Sequence, residues 1–465
     1  MSLSRRNFLK AGSAVGAGLA IAPVILGEAA KAPSKDLNLA FIGVGTQGQV
    51  LLTNALKIPN LKFVAVCDIW PYNQGRVTRT LKKYGYQAGG YADYQEMLAK
   101  ERDLDAVFIA SPDWVHAEHA MACMKAGKHV YCEKEMSNDL AQARQMVKTS
   151  QETRKLLQIG HQRRSNPRYH LAMDFFRNKK ACGVPSFLSG QWNRPMRLDI
   201  AWPQGQELDE ATLKKYGYDT MERFRNWRRY KKFSGGLMAD LGSHQVDIFN
   251  WFLKASPRAV IAAGGLDFYQ GQEWFDNVSA IFEWEYDWEG KKHIVRGFYQ
   301  VLTTTSQGGY TETFMGNEGT IIISEMAKVG GIRREPSAPE AAWEKTTPKP
   351  AAAAAPAAAP AAPAAPAAPA AKPADAKADD DNGITARHSP DPPPGRYFLP
   401  IDTVPPFDKT EHMPHIENFI AAIRDGVPLA CPGEVGYESA VTILKVNEAV
   451  VQAKRLQYTP DEFKV

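Results

Sequence analysis

Three glycines, a lysine and a histidine carry most of the chemistry open to this sequence. Gly43, Gly45 and Gly48 form a G-x-G-x-x-G pattern directly after the apolar run Leu37 to Ile42. In such a pattern the first glycine permits a tight turn and the second lets the backbone approach a pyrophosphate. The third lets a helix pack close to the strand, with Thr46 and Gln47 at its positive end beside the phosphates. A second apolar run, Phe63 to Cys67, ends in Asp68, 20 residues past Gly48, where a carboxylate would accept hydrogen bonds from a ribose diol. A glycine-rich turn without a ligand would not require strand, glycines, helix, strand and acid in this order.

Lys134 follows the strand-like run His129 to Cys132, within Glu133-Lys134-Glu135-Met136. An ammonium at a strand end can hydrogen-bond a substrate hydroxyl and stabilise an alkoxide as it develops. Paired with Glu133 or Glu135 on the surface, it would do neither. In Ser234-Gly235-Gly236 to Asp247, a Gly-Gly turn introduces a helix on which Asp240, His244 and Asp247 stand at i, i+4 and i+7, along one face. A histidine is the default base near neutrality, and a carboxylate one turn earlier can orient it or hold substrate. The competing reading is a helix cap and a core histidine.

These groups need a scaffold that brings distant loops together. From Gly48 to about residue 160 strand-like and helix-like segments alternate: helix from Gln49 to Lys57, strand from Leu104 to Ala110, and a helix closed by Gly127. A helix capped by Asn138 then runs to Arg154, before a strand from Lys155 to Gly160. Alternation of this kind predicts a doubly wound parallel sheet, whose ligands bind beyond the carboxyl ends of the strands. Ser111, Pro112 and His116, then Glu133 and Lys134, then His161, Arg163 and Arg164 all fall at such ends, so three loops are expected to converge on one crevice. His161 could bond a substrate or play a stacked structural part, and one of the two arginines is expected to pair with a carboxylate.

Taken together, the glycines, Glu133-Lys134, Gly160 to Arg164 and Gly235-Gly236 to Asp247 resemble the Gfo/Idh/MocA oxidoreductases, the family of glucose-fructose oxidoreductase and inositol dehydrogenase. The resemblance covers most of 37–335 and the C-terminal helix. It implies an α/β protein with a Rossmann domain over 37–160 and an α+β domain over 161–335, whose sheet is open and mostly antiparallel. Strand-like segments around Val278 to Trp284, His293 to Leu302 and Thr311 to Phe314 agree with it. It further implies catalytic roles for Lys134, Asp240 and His244 beside a nicotinamide, and a homo-oligomer, dimer or tetramer. Asp68 favours NAD because a 2′-phosphate would meet a carboxylate, although Arg76 could soften that preference and admit NADP.

One departure stands at the motif itself, where Glu135 replaces the family's proline and brings an extra carboxylate that could pair with Lys134. His116 with His119, and His412 with His415, share an i, i+3 spacing, yet neither pair has an evident third ligand, so no metal site is expected. The aromatic and cationic run Asn226 to Lys232 reads as a solvated surface or a sugar-binding face.

The chain opens with Arg5-Arg6 before an uncharged stretch from Ala11 to Gly27, which resembles a twin-arginine signal over 1–32 and implies the twin-arginine machinery and a periplasmic destination. That segment holds +3 of the formal net charge of +5, and so near-neutral a remainder gives no support to a nucleic-acid partner. Five cysteines without a C-x-x-C pair offer no disulfide framework. Ala-Pro repeats over 347–381 interrupt the second domain, which 397–465 is expected to complete. The resulting expectation is an exported oxidoreductase with a tightly held NAD, acting on a secondary alcohol of a sugar or polyol. One alternative is a redox-neutral glycosidase or lyase using Glu135, His161 or Tyr169 as the base for a C–H proton; another is a nucleotide-holding scaffold without catalysis.

Overall fold

A computed structural model describes residues 35–195, 199–326, 329–346, 397–401 and 409–465. The expected signal and the Ala-Pro insertion lie outside the described residues. The first domain is a six-stranded parallel sheet in the order β3-β2-β1-β4-β5-β6. Its strands are β1 (Leu37–Ile42), β2 (Leu61–Cys67), β3 (Gly89–Tyr91), β4 (Ala106–Ile109), β5 (His129–Cys132) and β6 (Leu157–Ile159). β4 and β6 are buried throughout, as near-continuous apolar runs in a sheet covered on both faces should be. The crossover helices are α1 (Thr46–Ala55), α2 (Pro71–Lys83), α3 (Tyr94–Lys100), α4 (Asp113–Lys125) and α5 (Leu140–Thr153). Asp139, not Asn138, caps α5, accepting from the Gln142 N–H at 2.8 Å, because its carboxylate lies one residue before the first helical turn.

The second domain holds a nine-stranded sheet in the order β14-β13-β12-β11-β7-β10-β9-β8-β15. The central strands are β7 (Pro185–Asn193), β8 (Pro257–Gly265), β9 (Asn277–Trp288), β10 (Lys291–Leu302) and β11 (Tyr310–Gly316). β12 (Gly319–Ile323), β13 (Gly330–Arg334), β14 (Tyr397–Leu399) and β15 (Leu456–Gln457) extend it. Every neighbouring pair is antiparallel except β7 with β10. α6 (Pro167–Met173), α7 (Glu210–Lys215), α8 (Met221–Arg225), α9 (Ser243–Leu253) and α10 (Ala342–Thr346) belong to this half.

The C-terminal part does not simply complete the second domain. α11 (Met413–Asp425) packs Ile416, Phe419 and Ile420 into the core of the first domain, with Phe419 edge-on to Phe108 and Tyr131. α12 (Gly433–Gln452) lies between the halves, against α5, α9 and β8. The reason is apolar complementarity: the face of the sheet that carries Phe108 and Tyr131 is covered by α11 together with Leu51 and Leu52 of α1.

The Gly-Gly segment also differs from a single regular helix. Met238–Gly242 forms a π-turn, and α9 starts only at Ser243. A π-turn inserts a residue into the helical repeat, so Asp240 and His244 no longer stack as i and i+4.

Candidate active site

The three glycines differ in what they leave open. A Cβ on Gly43, at φ +80°, would fall 2.5 Å from the Ser111 nitrogen, and one on Gly48 would fall 2.1 Å from the Gly43 carbonyl oxygen. A Cβ on Gly45 would meet nothing nearer than the Asn73 side chain at 3.9 Å. The chain's own packing thus demands the first and third, while the second leaves room where a dinucleotide's phosphates would lie. Gly45 also caps α1 without a side-chain bond. These features fit a bound dinucleotide.

Asp68, at the end of β2, accepts from the Trp70 N–H at 2.8 Å, the Val44 N–H at 2.9 Å and the Asn73 amide at 3.2 Å. Its carboxylate ties the glycine turn to the end of β2 and the start of α2. Burial raises its pKa, against the pull of those donors.

At the end of β4, Pro112 precedes α4 and the Ser111 hydroxyl lies 3.0 Å from His119 Nδ1. His116, expected at the cofactor, is 1% exposed, with its ring nitrogens 2.6 Å from the Ser111 carbonyl oxygen and 2.8 Å from that of Glu135. Burial pushes it down to about 4, so the neutral ring donates to one carbonyl at a time and braces two loops from behind. Asp113 beside it is buried and pushed up to about 7, chiefly by desolvation.

At the end of β5, Glu133 accepts from the Gln47 amide at 3.1 Å, linking the glycine turn to the lysine loop. The Lys134 ammonium donates to the Asp240 backbone carbonyl and lies 3.8 Å from Asp240 Oδ1. Arg228 Nε donates to the same carboxylate at 2.9 Å, so one member of the aromatic and cationic run does reach the crevice. Burial alone would raise the Asp240 carboxyl, yet Arg228 and Lys134 hold it down to about 2. Asp240 therefore orients Lys134; it makes no hydrogen bond to His244.

His244 sits at the start of α9, 7% exposed, with its ring 5.4 Å from that of Trp192. Among the described residues its nitrogens have no hydrogen-bond partner. Burial first, then the charges of Lys134 and Arg163, lower its pKa well below 6.5. The imidazole is neutral across the physiological range, the form that can accept a proton.

The third loop departs most from expectation. Arg163, expected to bind substrate, is 1% exposed and paired with Glu312 and with Glu325, the latter at 2.9 Å. Arg164 grips Asp247 with two nitrogens at 2.8 to 3.0 Å, and Ser439 donates to the same carboxylate. Both arginines, not one, pair with a buried carboxylate. Asp247 is thereby removed from the crevice. His161 is 1% exposed, both ring nitrogens lack partners among the described residues, and its ring centroid lies 6.4 Å from that of His244. Burial pushes it down to about 4. Tyr169 is fully buried and donates to Glu312 at 2.9 Å, which leaves no hydroxyl for a C–H proton.

Glu135 does not pair with Lys134. The Lys134–Glu135 peptide is cis, and the carboxyl lies 1% exposed beneath the loop, accepting from the Met136 N–H while Oε2 has no partner among the described residues. Burial, reinforced by Asp113, pushes it up to about 8 from 4.5. Between those values the unfolded chain has lost the proton that the folded chain retains, so stability falls as pH rises through that window. Glu135→Gln is expected to raise the thermal midpoint at pH 8 and to leave it unchanged near pH 4. An equal shift at both values, followed calorimetrically, would refute a protonated Glu135.

The sequence does not mark His412 as a site residue, since its i, i+3 spacing from His415 suggests only a metal pair. It arrives from the segment before α11, with Nε2 3.0 Å from the Gln47 amide. Only a fold that returns the C-terminal segment to the glycine turn reveals it. Among the described residues no group of three or more His, Cys, Asp or Glu could hold a metal ion.

Glycine turn, ribose-side acid and a lysine–histidine crevice against an open sheet define a two-domain dinucleotide-binding protein. Residues 37–161 match the Gfo/Idh/MocA profile described as an oxidoreductase family with an NAD-binding Rossmann fold, and residues 211–321 match the family's C-terminal domain. The chain belongs to the Gfo/Idh/MocA oxidoreductase family. Residues 2–22 match the twin-arginine translocation pathway signal sequence. Inositol 2-dehydrogenase of Salmonella typhimurium is 31% identical over 29% of this chain and 39% of its own length. A glycosyl hydrolase family 109 protein of Parabacteroides distasonis is 36% identical over 34% of this chain and 38% of its own. The chain thus spans less than half the length of these relatives. In fold, it is similar to levoglucosan dehydrogenase in complex with NADH and levoglucosan, with a TM-score of 0.63 at 16% identity over 91% of this chain and 99% of that one. The WlbA dehydrogenase of Bordetella pertussis, in complex with NADH and UDP-GlcNAcA, gives 0.60 at 16% over 91% and 99%.

Proposed function

We propose that this chain is an exported, periplasmic oxidoreductase that uses NAD(P) at a secondary alcohol of a sugar or polyol. The observation that carries the reading is the His244 ring, without a hydrogen-bond partner among the described residues, close enough to the Lys134 ammonium for that charge to lower its pKa. A bound nicotinamide dinucleotide supplies the hydride acceptor. Around it, His244 takes the hydroxyl proton and Lys134 stabilises the alkoxide oxygen. Asp240, through its carbonyl and carboxylate, aims the ammonium. Trp192, itself packed against Tyr310 and Arg163, backs His244 from one side.

The twin-arginine route carries folded proteins, so the reading includes a cofactor that travels with the enzyme. The experiment is to purify the mature protein without added nucleotide, denature it, and quantify released cofactor by mass spectrometry. Near-stoichiometric NAD(H) or NADP(H) is expected; no release, together with no binding on titration, would overturn the reading.

A redox-neutral outcome is favoured by one specific observation, the identity of 34 to 36% with proteins named alpha-N-acetylgalactosaminidase and glycosyl hydrolase family 109. Glycoside cleavage without net reduced cofactor would establish it. For a homo-oligomer, the support is the exposed row Phe187, Ile261, Ile281, Ile294 and Ile322 on the second-domain sheet, and sedimentation of a monomer would count against it.

A further inference from the structure

After β7 the chain leaves its sheet, and residues 199–233 run across the edge of the first domain. Leu213, Tyr218, Met221 and Phe233 bury themselves with Trp70 in a separate apolar cluster. The Trp70 indole donates to the Gln206 carbonyl at 2.6 Å, the Trp114 indole to the Tyr218 hydroxyl at 3.2 Å, and the Tyr216 hydroxyl to the Ala92 carbonyl at 3.1 Å. This excursion is thus pinned where β2 ends, beside Asp68.

Its α8 helix ends in Arg225, whose guanidinium lies 4.7 Å from the centre of the Trp70 ring. The Nε atom is buried without a partner, and among the described residues no carboxylate pairs with the side chain. Asp68 is near enough for the two charges to act on each other, yet outside ion-pair contact. An unpaired, half-buried guanidinium is costly unless something else satisfies it. Contact with the indole restricts the side chain in advance, so less freedom remains to be lost on binding. The group left to satisfy it would lie between Asp68 and Arg225, on the ribose side of the crevice.

We propose that Arg225, supplied by the second domain, reads the 2′ position of the adenosine ribose together with Asp68, and that the chain therefore binds NADP as well as NAD. The inference rests on the dinucleotide reading above. A 2′-hydroxyl satisfies Asp68 as donor, whereas a 2′-phosphate is repelled by Asp68 but meets the planar donor fork of Arg225. The Arg76 side chain, the sequence's candidate for this task, is exposed on α2.

The test is titration of the full mature chain, freed of nucleotide, with NAD and with NADP by calorimetry. The wild type is expected to bind both. Arg225→Ala should weaken NADP by about 10- to 100-fold, as loss of a charged hydrogen-bonding partner does, and NAD by less than about threefold. Arg225→Lys, which keeps the charge and the packing stem, should fall between. NADP left unbound by a wild type that binds NAD would overturn the inference alone. So would equal losses for both nucleotides in Arg225→Ala, or no loss at all. A wild type that binds neither would overturn the dinucleotide reading as well.

Discussion

Lys134→Ala is expected to lower kcat/KM by about 100- to 10,000-fold on whichever alcohol the wild type oxidises best, with His244→Ala in the same range. Both side chains act on one hydroxyl, His244 on its proton and Lys134 on the oxygen left behind. The double variant should therefore fall well short of the product of the two single effects. Lys134→Arg should not rescue, since a fork cannot occupy the point position of an ammonium held by the Asp240 carbonyl. The pH profile carries an independent sign. His244 accepts a proton only when neutral, and burial lowers its pKa well below 6.5. Activity should persist as pH falls through 6.5, with the acid limb assigned to His244 lying lower. Initial rates of cofactor reduction, with cofactor content and thermal midpoint measured alongside, check each point. A folded, cofactor-loaded Lys134→Ala within tenfold of wild type would remove the lysine from the mechanism.

The legible part of this chain was the part whose signals are local. A strand that is buried on both faces reads as a continuous apolar run, and a tight phosphate turn needs its glycines within six residues, so β1, α1, β2 and Asp68 follow from one window of sequence. The alternation in β9 and β10 is visible for the same reason. Partnerships between distant residues were not. Arg163 looks like a crevice cation until Glu312, 149 residues on, is folded beneath it. Glu135 looks like a crevice carboxylate free to pair with Lys134 until the loop turns it inward. Helix α11 has a clear amphipathic pattern, but nothing in the pattern says that its apolar face belongs to Phe108 and Tyr131, across a long interruption. The π-turn at Met238–Gly242 is likewise invisible to a count of helical periods, and it separates Asp240 from His244 in role.

Arg163→Met is expected to cost about 3–5 kcal/mol of stability, because it strands two acids that no other cation contacts among the described residues. Glu312 is fully buried and Glu325 nearly so. Burial pushes the Glu312 carboxyl up to about 7 even with Arg163 opposing; without that charge it must take a proton to stay folded. The unfolded chain ionises this group near 4.5, so the deficit should be large at pH 8 and shrink toward pH 4.5. Arg163→Met combined with Glu312→Gln removes the stranded charge and should recover part of the loss. Chemical denaturation at both pH values would refute the assignment if the single variant matched wild type, or if the double variant were no better than the single. The same measurement decides between two roles for the arginine. As a substrate contact it would raise KM and leave stability untouched. In the buried role, the damage travels through packing: the Arg163 guanidinium lies 5.4 Å from the Trp192 ring, and that ring lies 5.4 Å from His244. Lost turnover in an Arg163 variant would then follow from a misplaced base, with the fall in stability as its signature.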